Sequence, residues 1–400
     1  MRFLGVKIAD GFSSEASVFA ALLHPDFADL PGAARIRFDV LYQTSPGDTQ
    51  GAERFQDAVS PEVVLHSQDF GWRPPLAGRS VGFKVRTHAR FYTQLPGALR
   101  KVRRLRPDII YSSQESWDCR VATFLARRLR RPQIIHLHYV IGPWLGTSVL
   151  KRLHDCDHVL AVSNFIREEA IRHGVAPDRV TTVYNSVTLP DLNVTPSPAN
   201  DIRQELGIDA STPLIGMVAR IDPQKGQDQA IRAFAEILSE FPDAHLLLVG
   251  GALSWHTKYA DSLRHLSAVD DLTGRVHLLG HREDVPAILR CLDIFLHPAH
   301  NEPFGLAVAE ASAAGLPVVG YADGATPELV VSGVTGLLTP HGEGVNGLAR
   351  SLRILLSDPS IARAMGALGR VRMQVKFSPT GAQESFREAL TRVGDRQTPA

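Results

Sequence analysis

The chain has 400 residues, of which 44% are hydrophobic and 21% charged, and its formal net charge is +1 at pH 7. This length exceeds what one hydrophobic core usually serves, so we expect two domains. No run approaches the roughly 20 apolar residues that span a bilayer, and the balanced charge gives no reason to expect a nucleic-acid partner.

Positive charge is concentrated in the first half of the chain. Residues 1–190 contain 25 Lys and Arg against 18 Asp and Glu, whereas the remainder contains 18 against 24. The two halves are therefore expected to differ in their partners. The cysteines Cys119, Cys156 and Cys291 lack metal-ligand spacing and fit free thiols in a reducing cytoplasm. The first apolar run contains Lys7 and predicts a β-strand instead of a signal peptide.

The first half alternates short β-rich runs with helical patterns, which predicts a parallel sheet with helices on both faces. Ligands of such sheets bind beyond the carboxyl ends of the strands. The predicted strands are 3–9, 37–43, 63–66, 108–112, 133–138, 158–162 and 179–184. Residues 70–98 show no clear periodicity and fit either a surface loop or part of an acceptor pocket.

Two basic runs lie in this half, Arg100, Lys101, Arg103, Arg104 and Arg106 in the first, and Arg127, Arg128, Arg130 and Arg131 in the second. One interpretation is that they are solvated helix faces. The other is attraction to anionic lipid, at about 1 kcal/mol per basic residue near the surface. The second interpretation predicts peripheral contact with the inner face of a membrane through the basic first domain.

Histidines follow in two groups. His136 and His138 are two residues apart on a predicted strand, so both side chains point to one face. The second group mixes histidines and carboxylates, His154, Asp155, Asp157 and His158. These residues straddle a helix end and a strand start, so we predict no metal site there.

Residues 189–200 are Pro-rich and aperiodic, which predicts a linker between a domain at 1–188 and a domain at 201–377. The predicted strands of the second domain are 213–221, 245–250, 275–280 and 293–297. Arg220 and Lys225 flank a tight loop after the first of these strands, so both cationic groups could reach one anion. The alternative is an ordinary strand-to-helix turn with solvated charges.

A helix over residues 304–314 is predicted within the run HPAHNEPFGLAVAEASAAGLP, from His297 to Pro317. Pro303 suits the first turn of a helix, and Gly315 marks its end. The first amides of a helix have no intrahelical acceptor, and the helix dipole adds partial positive charge there. A phosphate would fit at this end.

Three amides would form this anion site, those of Phe304, Gly305 and Leu306. Glu302 just precedes the predicted helix and Glu310 lies inside it, so their carboxylates are expected roughly 9 Å apart along the axis. Such carboxylates can hold hydroxyls at opposite ends of one ligand, as in a sugar–diphosphate–ribose. The alternative is that Glu302 is a solvated loop residue and that Glu310 occupies a surface position on the helix.

Several segments together resemble one enzyme family. The run from Glu302 to Glu310 reproduces an E-x7-E signature, and the chain resembles glycosyltransferase family 4, whose members are retaining enzymes. Further segments match family landmarks in the right order, at 162–165, 184–187 and 324–328. The resemblance implies an α/β GT-B fold, with two Rossmann-like domains facing each other across a cleft. Residues 378–400 would form a helix that crosses back to the first domain.

The resemblance also implies roles for residues of the second domain. Arg220 and Lys225 would hold the donor diphosphate together with the amides of the E-x7-E helix. Glu302 would orient the hydroxyls of the donor sugar, and Glu310 would hold those of the ribose. Arg282 lies in the loop after the third predicted strand of this domain (275–280) and is a candidate for contact with the nucleotide base.

In the first domain, the resemblance implies that His138 faces the donor sugar. It also implies that Ser14 lies in a loop close to the donor phosphates, where relatives often carry Gly-Gly-x-Glu and this chain carries serines.

The implied reaction is retaining transfer of a sugar from a nucleoside-diphosphate sugar to a hydroxyl of a saccharide, lipid-linked or small-molecule acceptor, with no cofactor and no metal. A retaining hydrolase would need carboxyls about 5 to 5.5 Å apart, closer than expected for Glu302 and Glu310. Two alternatives stay open. A GT-B sugar-nucleotide epimerase would share the anion site, and a non-catalytic two-domain sugar-binding protein would share the architecture but need an export signal, which we do not expect here.

Overall fold

The protein, described by a computed structural model, divides into two compact units. Unit 1 contains Met1–Ser186 and Pro379–Ala400, and unit 2 contains Val187–Ser378. The structure describes residues 1–7, 18–19, 21–23, 36–43, 59, 62–70, 80–114, 116–142, 147–191, 201–253, 255–269 and 271–395. The predicted site residue Ser14 and most of the predicted linker at 189–200 therefore lie outside the described residues.

Unit 1 is built on a seven-stranded sheet whose neighbouring strands are all parallel. Its strands are β1 (Arg2–Lys7), β2 (Arg37–Gln43), β3 (Val64–Gln68), β4 (Ile109–Ser113), β5 (Gln133–Leu137), β6 (His158–Ala161) and β7 (Val180–Thr182). They lie in the order β3-β2-β1-β4-β5-β6-β7. Strands β4, β5 and β6 are buried along their whole length, as expected when helices cover both faces of a parallel sheet.

The helices described before residue 187 are α1 (Val81–Leu105), α2 (Ser116–Leu129), α3 (Thr147–Asp155) and α4 (Asn164–Arg172). Helix α1 corrects the interpretation of residues 70–98 as aperiodic. Its buried residues Phe91, Leu95, Ala98 and Val102 have helical spacing, but most residues before Phe91 are exposed, so the period is visible only in the second part of the helix. The basic residues Arg100, Arg103 and Arg104 are exposed.

Unit 2 is built on a six-stranded parallel sheet in the order β10-β9-β8-β11-β12-β13. Its strands are β8 (Leu214–Val218), β9 (His245–Val249), β10 (Val276–Gly280), β11 (Ile294–His297), β12 (Val318–Tyr321) and β13 (Gly336–Thr339). Strands β12 and β13 were not predicted. Each has four residues, and β12 begins directly after Pro317, in a stretch that was interpreted only as the end of the preceding helix.

The helices of unit 2 are α5 (Ile202–Leu206), α6 (Gln227–Ala235), α7 (Thr257–Ser267), α8 (Val285–Cys291), α9 (Leu306–Ala313), α10 (Thr326–Leu329), α11 (Gly344–Ser357) and α12 (Pro359–Lys376). Helix α9 starts two residues later than predicted. The reason is Gly305, whose φ of 97° places it in a left-handed conformation outside the helix. Within the described ranges, no helix has both the length and the apolar character needed to cross a membrane.

The C-terminal helix α13 (Pro379–Asp395) belongs to unit 1. Its Phe386 ring lies 5.7 Å from the ring of Phe3 and 6.0 Å from that of Tyr111, between centroids. All three side chains are in the core that covers one face of the first sheet. The predicted return of this helix to the first domain is confirmed.

Candidate active site

The strand order of unit 2 reverses between β8 and β11. From β8 the chain moves outward to β9 and β10, and it then returns to β11 on the other side of β8. Loops that follow neighbouring strands diverge at such a point and leave a crevice in which ligands of parallel sheets bind. The loop after β8 contains Arg220 and Lys225, and the loop after β11 contains Glu302. The fold therefore brings these predicted site residues to one edge of the sheet.

Glu302 is buried, with 7% of its surface exposed. Lys225 Nζ lies 2.7 Å from Glu302 Oε2, and His297 Nε2 lies 3.1 Å from the same oxygen. Burial alone raises the pKa of this carboxyl group, but the charge of Lys225 and the hydrogen bond from His297 outweigh burial and lower the pKa to about 2. Glu302 is therefore ionised at physiological pH.

The loop after β12 supports the backbone at Glu302. Ala325 N donates a hydrogen bond to Glu302 O (2.8 Å), and Asp323 Oδ2 accepts one from Asn301 N (3.1 Å). A Cβ atom at Gly324 would lie 2.4 Å from Glu302 N, so only glycine fits between the two loops. The position of Glu302 thus depends on the loops after three different strands.

Sequence reasoning missed His297 and Asp323 as members of this site. His297 is the last residue of β11, and Asp323 follows β12 by two residues. Burial raises the pKa of Asp323, but the amide of Asn301 and the ring of His300 outweigh it and lower the pKa. Polar residues at the carboxyl ends of neighbouring parallel strands are the signal that could have identified both.

The N-terminus of α9 presents the amides of Leu306, Ala307 and Val308, which have no intrahelical acceptor. Of the predicted set, Phe304 and Gly305 precede the helix and Leu306 is its first residue. Contact of these three amides with a phosphate stays a prediction. The Phe304 ring is buried and packs against Phe377, with 5.9 Å between ring centroids. Phe304 therefore fixes the loop, while Leu306, Ala307 and Val308 supply the helix-terminal amides.

Glu310 lies in the second turn of α9, where its side chain retains contact with solvent. Enough protein surrounds its carboxyl group that desolvation raises its pKa. The predicted separation of roughly 9 Å from Glu302 counted from a helix that starts at residue 304. Helix α9 starts at Leu306, so three residues lie between Glu302 and the helix, and the separation stays a prediction. Contact of Glu310 with a ribose stays a prediction.

Arg220 is half-exposed, and its guanidinium lies 3.2 Å from Asp222 Oδ2. Its backbone carbonyl accepts a hydrogen bond from Gln227 Nε2 (2.8 Å), which joins the loop to the start of α6. The two predicted cations thus have different carboxylate partners, Asp222 for Arg220 and Glu302 for Lys225. Binding of one diphosphate by both stays a prediction.

Arg282 makes two contacts with carboxylates of unit 2. It donates to both oxygens of Glu205 at 2.9 Å, and to the two oxygens of Asp284 at 2.9 and 2.8 Å. Hydrogen bonds to Asp284 and Glu205 raise the pKa of Arg282. Arg282 thus links Asp284, just before α8, to Glu205 of α5 through ion pairs. Contact of Arg282 with a base stays a prediction.

His138 directly follows β5 in unit 1. Its backbone N–H donates to Gln114 Oε1 (2.8 Å), and its ring is buried. Burial lowers the pKa of His138 well below its usual value, and His136 and Lys7 lower it further, so the imidazole is neutral. Among the described residues no partner accepts or donates a hydrogen bond at His138 Nε2. Contact with a donor sugar stays a prediction.

Within the described part of the chain, no three His, Cys, Asp or Glu side chains are grouped so that they could hold a metal ion. The three cysteines are free thiols; Cys119 and Cys156 are buried, and Cys291 is partly exposed.

Two family models match the chain. The model described as Glycosyl transferases group 1 matches residues 198–372, and the model described as Glycosyltransferase Family 4 matches residues 34–189. The two matches cover one unit each, apart from short segments.

Relatives from two bacteria are similar over part of the chain. A GDP-mannose-dependent monoacylated alpha-(1-6)-phosphatidylinositol monomannoside mannosyltransferase from Corynebacterium glutamicum is 36% identical over 193 residues, 46% of this chain and 48% of that protein. An alpha-maltose-1-phosphate synthase from Mycolicibacterium smegmatis is 31% identical over 269 residues, 64% of this chain and 67% of that protein. The aligned region thus spans about half of the first relative and two thirds of the second.

The fold is also found among solved structures. The crystal structure of Anabaena HepE in complex with UDP and glucose aligns with a TM-score of 0.77 and 22% identity, over 98% of this chain and 100% of that one. From the family matches, the relatives and this shared architecture, we conclude that the chain belongs to glycosyltransferase family 4 and has the GT-B fold of two Rossmann-like domains.

Proposed function

We propose that the protein transfers a sugar from a nucleoside-diphosphate sugar to a hydroxyl group of an acceptor, with retention at the anomeric carbon. The observation that carries this proposal is the Lys225–Glu302 ion pair at the reversal of strand order in unit 2. It places a cation for a phosphate and an anion for sugar hydroxyls side by side. Family membership supports the reaction type.

The donor diphosphate would bind between Lys225, Arg220 and the amides at the start of α9. A phosphate would compete with Glu302 for the Lys225 ammonium and with Asp222 for the Arg220 guanidinium. The helix N-terminus adds backbone donors and partial positive charge. These groups would stabilise the charge that develops as the nucleoside diphosphate leaves.

Glu302 would orient the hydroxyls of the donor sugar, because its ionised carboxylate can only accept hydrogen bonds. It would also stabilise positive charge at the sugar ring as the bond from the anomeric carbon to the phosphate oxygen breaks. The acceptor oxygen would bond to the same face of that carbon, and its proton would pass to the departing phosphate. Glu310 would hold the ribose, and His138 would face the donor sugar.

The proposal requires no metal and no further cofactor. In this scheme Lys225, Arg220 and the helix amides perform the charge neutralisation that a divalent cation would otherwise provide. The proposed partners are the donor nucleotide sugar and the acceptor.

The donor base and the acceptor are proposed only by class. The C. glutamicum relative is named for GDP-mannose, whereas the Anabaena structure holds UDP, so UDP, GDP and ADP are all candidates. The acceptor is a saccharide, a lipid-linked intermediate or a small molecule. A lipid-linked acceptor would fit the exposed basic residues of α1, which would attract an anionic membrane at about 1 kcal/mol per residue near the surface.

Thermal unfolding with UDP, GDP and ADP tests donor binding at this site. We expect one of the three to stabilise the wild-type protein by about 2.7 kcal/mol at 100 times its dissociation constant. The same nucleotide should give a much smaller shift with Lys225→Ala, since that variant lacks the phosphate contact. No shift with any of the three, or an equal shift in both proteins, would contradict the proposed site.

A further inference from the structure

Helix α12 carries a pattern that glycosyl transfer does not use. A row of apolar side chains lies exposed along one side of this helix, formed by Ile361, Ala364, Leu368, Val371 and Val375. Their spacing alternates three and four residues, which is the heptad spacing of helices that pair with each other. At about 100° per residue these side chains fall within an arc of roughly 80°. We name this row the heptad face.

The other side of α12 is already packed against unit 2. Its buried residues are Ala362, Gly366, Gly369 and Met373, which lie on the far side of the helix from the heptad face. A surface helix that covers a core normally has a polar outer side. The apolar outer side of α12 is therefore not explained by the packing of its own domain.

Exposed apolar residues are concentrated on α12 and on the loop beside it. These two elements contain half of the twelve large apolar residues exposed in the described part of the chain, namely Val331, Val334, Ile361, Leu368, Val371 and Val375. The first two come from a loop that a hydrogen bond from Arg372 Nε to Leu329 O (2.8 Å) holds beside the helix. A concentration of exposed apolar residues can mark an interaction site, whereas single exposed apolar residues are ordinary.

We propose that the heptad face pairs with the heptad face of a second copy of this chain, antiparallel about a two-fold axis near Leu368. A heptad row packs best against another helix with the same period, and the second copy supplies one. Two-fold symmetry then places Leu368 against Leu368 and Ile361 against Val375 of the other copy. The site of glycosyl transfer takes no part in this contact.

Charges at the ends of α12 decide the orientation. Asp358 caps the N-terminus, accepting hydrogen bonds from Ser360 N (3.0 Å) and Ile361 N (3.1 Å), and Lys376 is the last helical residue. Antiparallel pairing brings the acidic end of one helix to the basic end of the other, at both ends of the contact. Parallel pairing would place like charges together, which disfavours it.

The molar mass in solution tests whether the pair forms. By analytical ultracentrifugation we expect the wild-type chain to have twice the mass of one 43.7 kDa chain. Val371→Glu, which places a charge in the heptad face, should reduce the mass to that of one chain. Val85→Glu is the matched control, because Val85 is exposed to a similar extent on α1 (60%, against 56% for Val371). A monomeric wild type, or dimeric Val371→Glu, would overturn the proposal.

Oxidative cross-linking tests the orientation of the two helices. The variants Ile361→Cys and Val375→Cys are each oxidised alone and then as a mixture. An antiparallel pair predicts a covalent dimer in the mixture and little in either variant alone, and it predicts a covalent dimer of Leu368→Cys with itself. Cross-linking of Ile361→Cys to itself would show a parallel pair and overturn the proposed geometry. Unmodified protein, with Cys119 and Cys156 buried, serves as the background control.

Discussion

Glu302 illustrates how neighbouring residues select a role for a carboxylate. A general acid needs a raised pKa so that it keeps its proton at neutral pH, but Lys225 and His297 hold the pKa of Glu302 at about 2. Lys225 and His297 both bind Glu302 Oε2, which holds the carboxylate in one orientation. Orientation of sugar hydroxyls and stabilisation of positive charge are the roles that this geometry favours.

Substitution of the two glutamates separates their roles. If Glu310 holds only the ribose, its contact is equally strong in the ground state and the transition state, so Glu310→Ala should raise the donor KM and leave kcat nearly unchanged. Glu302 would face the ring that gains positive charge, so Glu302→Gln should lower kcat. A hydrogen bond to a charged group contributes about 1.5 to 3 kcal/mol, which corresponds to a ten- to 150-fold effect.

Steady-state kinetics with the donor varied measure both effects. Thermal unfolding of each variant is the control, because Glu302→Gln also changes a buried ion pair. Equal effects of the two substitutions on kcat, or the reverse order, would mean that the nucleotide does not lie along α9 as proposed.

At the scale of elements, the loop after β12 depends on one glycine. Gly324 has a φ of 59°, and a Cβ atom there would lie 2.4 Å from Glu302 N and 2.6 Å from Glu302 O. Gly324→Ala should therefore displace the Glu302 loop, and we expect it to lower both turnover and the free energy of unfolding.

Gly333→Ala is the matched control for this substitution, since Gly333 has a φ of 80° but no atoms within 4 Å of an added Cβ. It should show only the cost of a left-handed alanine, about 1 to 2 kcal/mol, and keep its turnover. Urea unfolding and turnover measurements compare the two variants. Equal losses in both would show that the contact between Gly324 and Glu302 has no role in the site.

The elements differ in how far the sequence predicts them. The long alternation of β-rich runs and helical patterns predicts the parallel sheets, because burial on both faces produces the same apolar runs in any such fold. The start of α9 could not be placed from Pro303, because the left-handed conformation of Gly305 overrides the preference of proline for a first turn. Strand β12 was not assigned because Gly315 and Pro317, which directly precede it, were interpreted only as the end of a helix.

At the scale of the whole molecule, the contact that defines the site is between residues 77 positions apart in the chain, Lys225 and Glu302. Local patterns cannot predict such a contact, because it arises from the order in which strands enter the sheet. Only the resemblance to a family placed both residues in one site. His297 and Asp323 matched no motif that was recognised, so their positions became visible only once the strand ends were brought together.

The central claim is that Lys225, Arg220 and the amides of α9 stabilise the departing nucleoside diphosphate without a metal. Release of nucleoside diphosphate from the sugar donor, measured in the presence of EDTA, tests it most directly. Wild-type protein and the surface control Lys258→Ala should turn over at the same rate, whereas Lys225→Ala and Arg220→Ala should each be slower by roughly 10² to 10³. Loss of wild-type turnover in EDTA with recovery in magnesium or manganese, or normal turnover of Lys225→Ala, would contradict the claim.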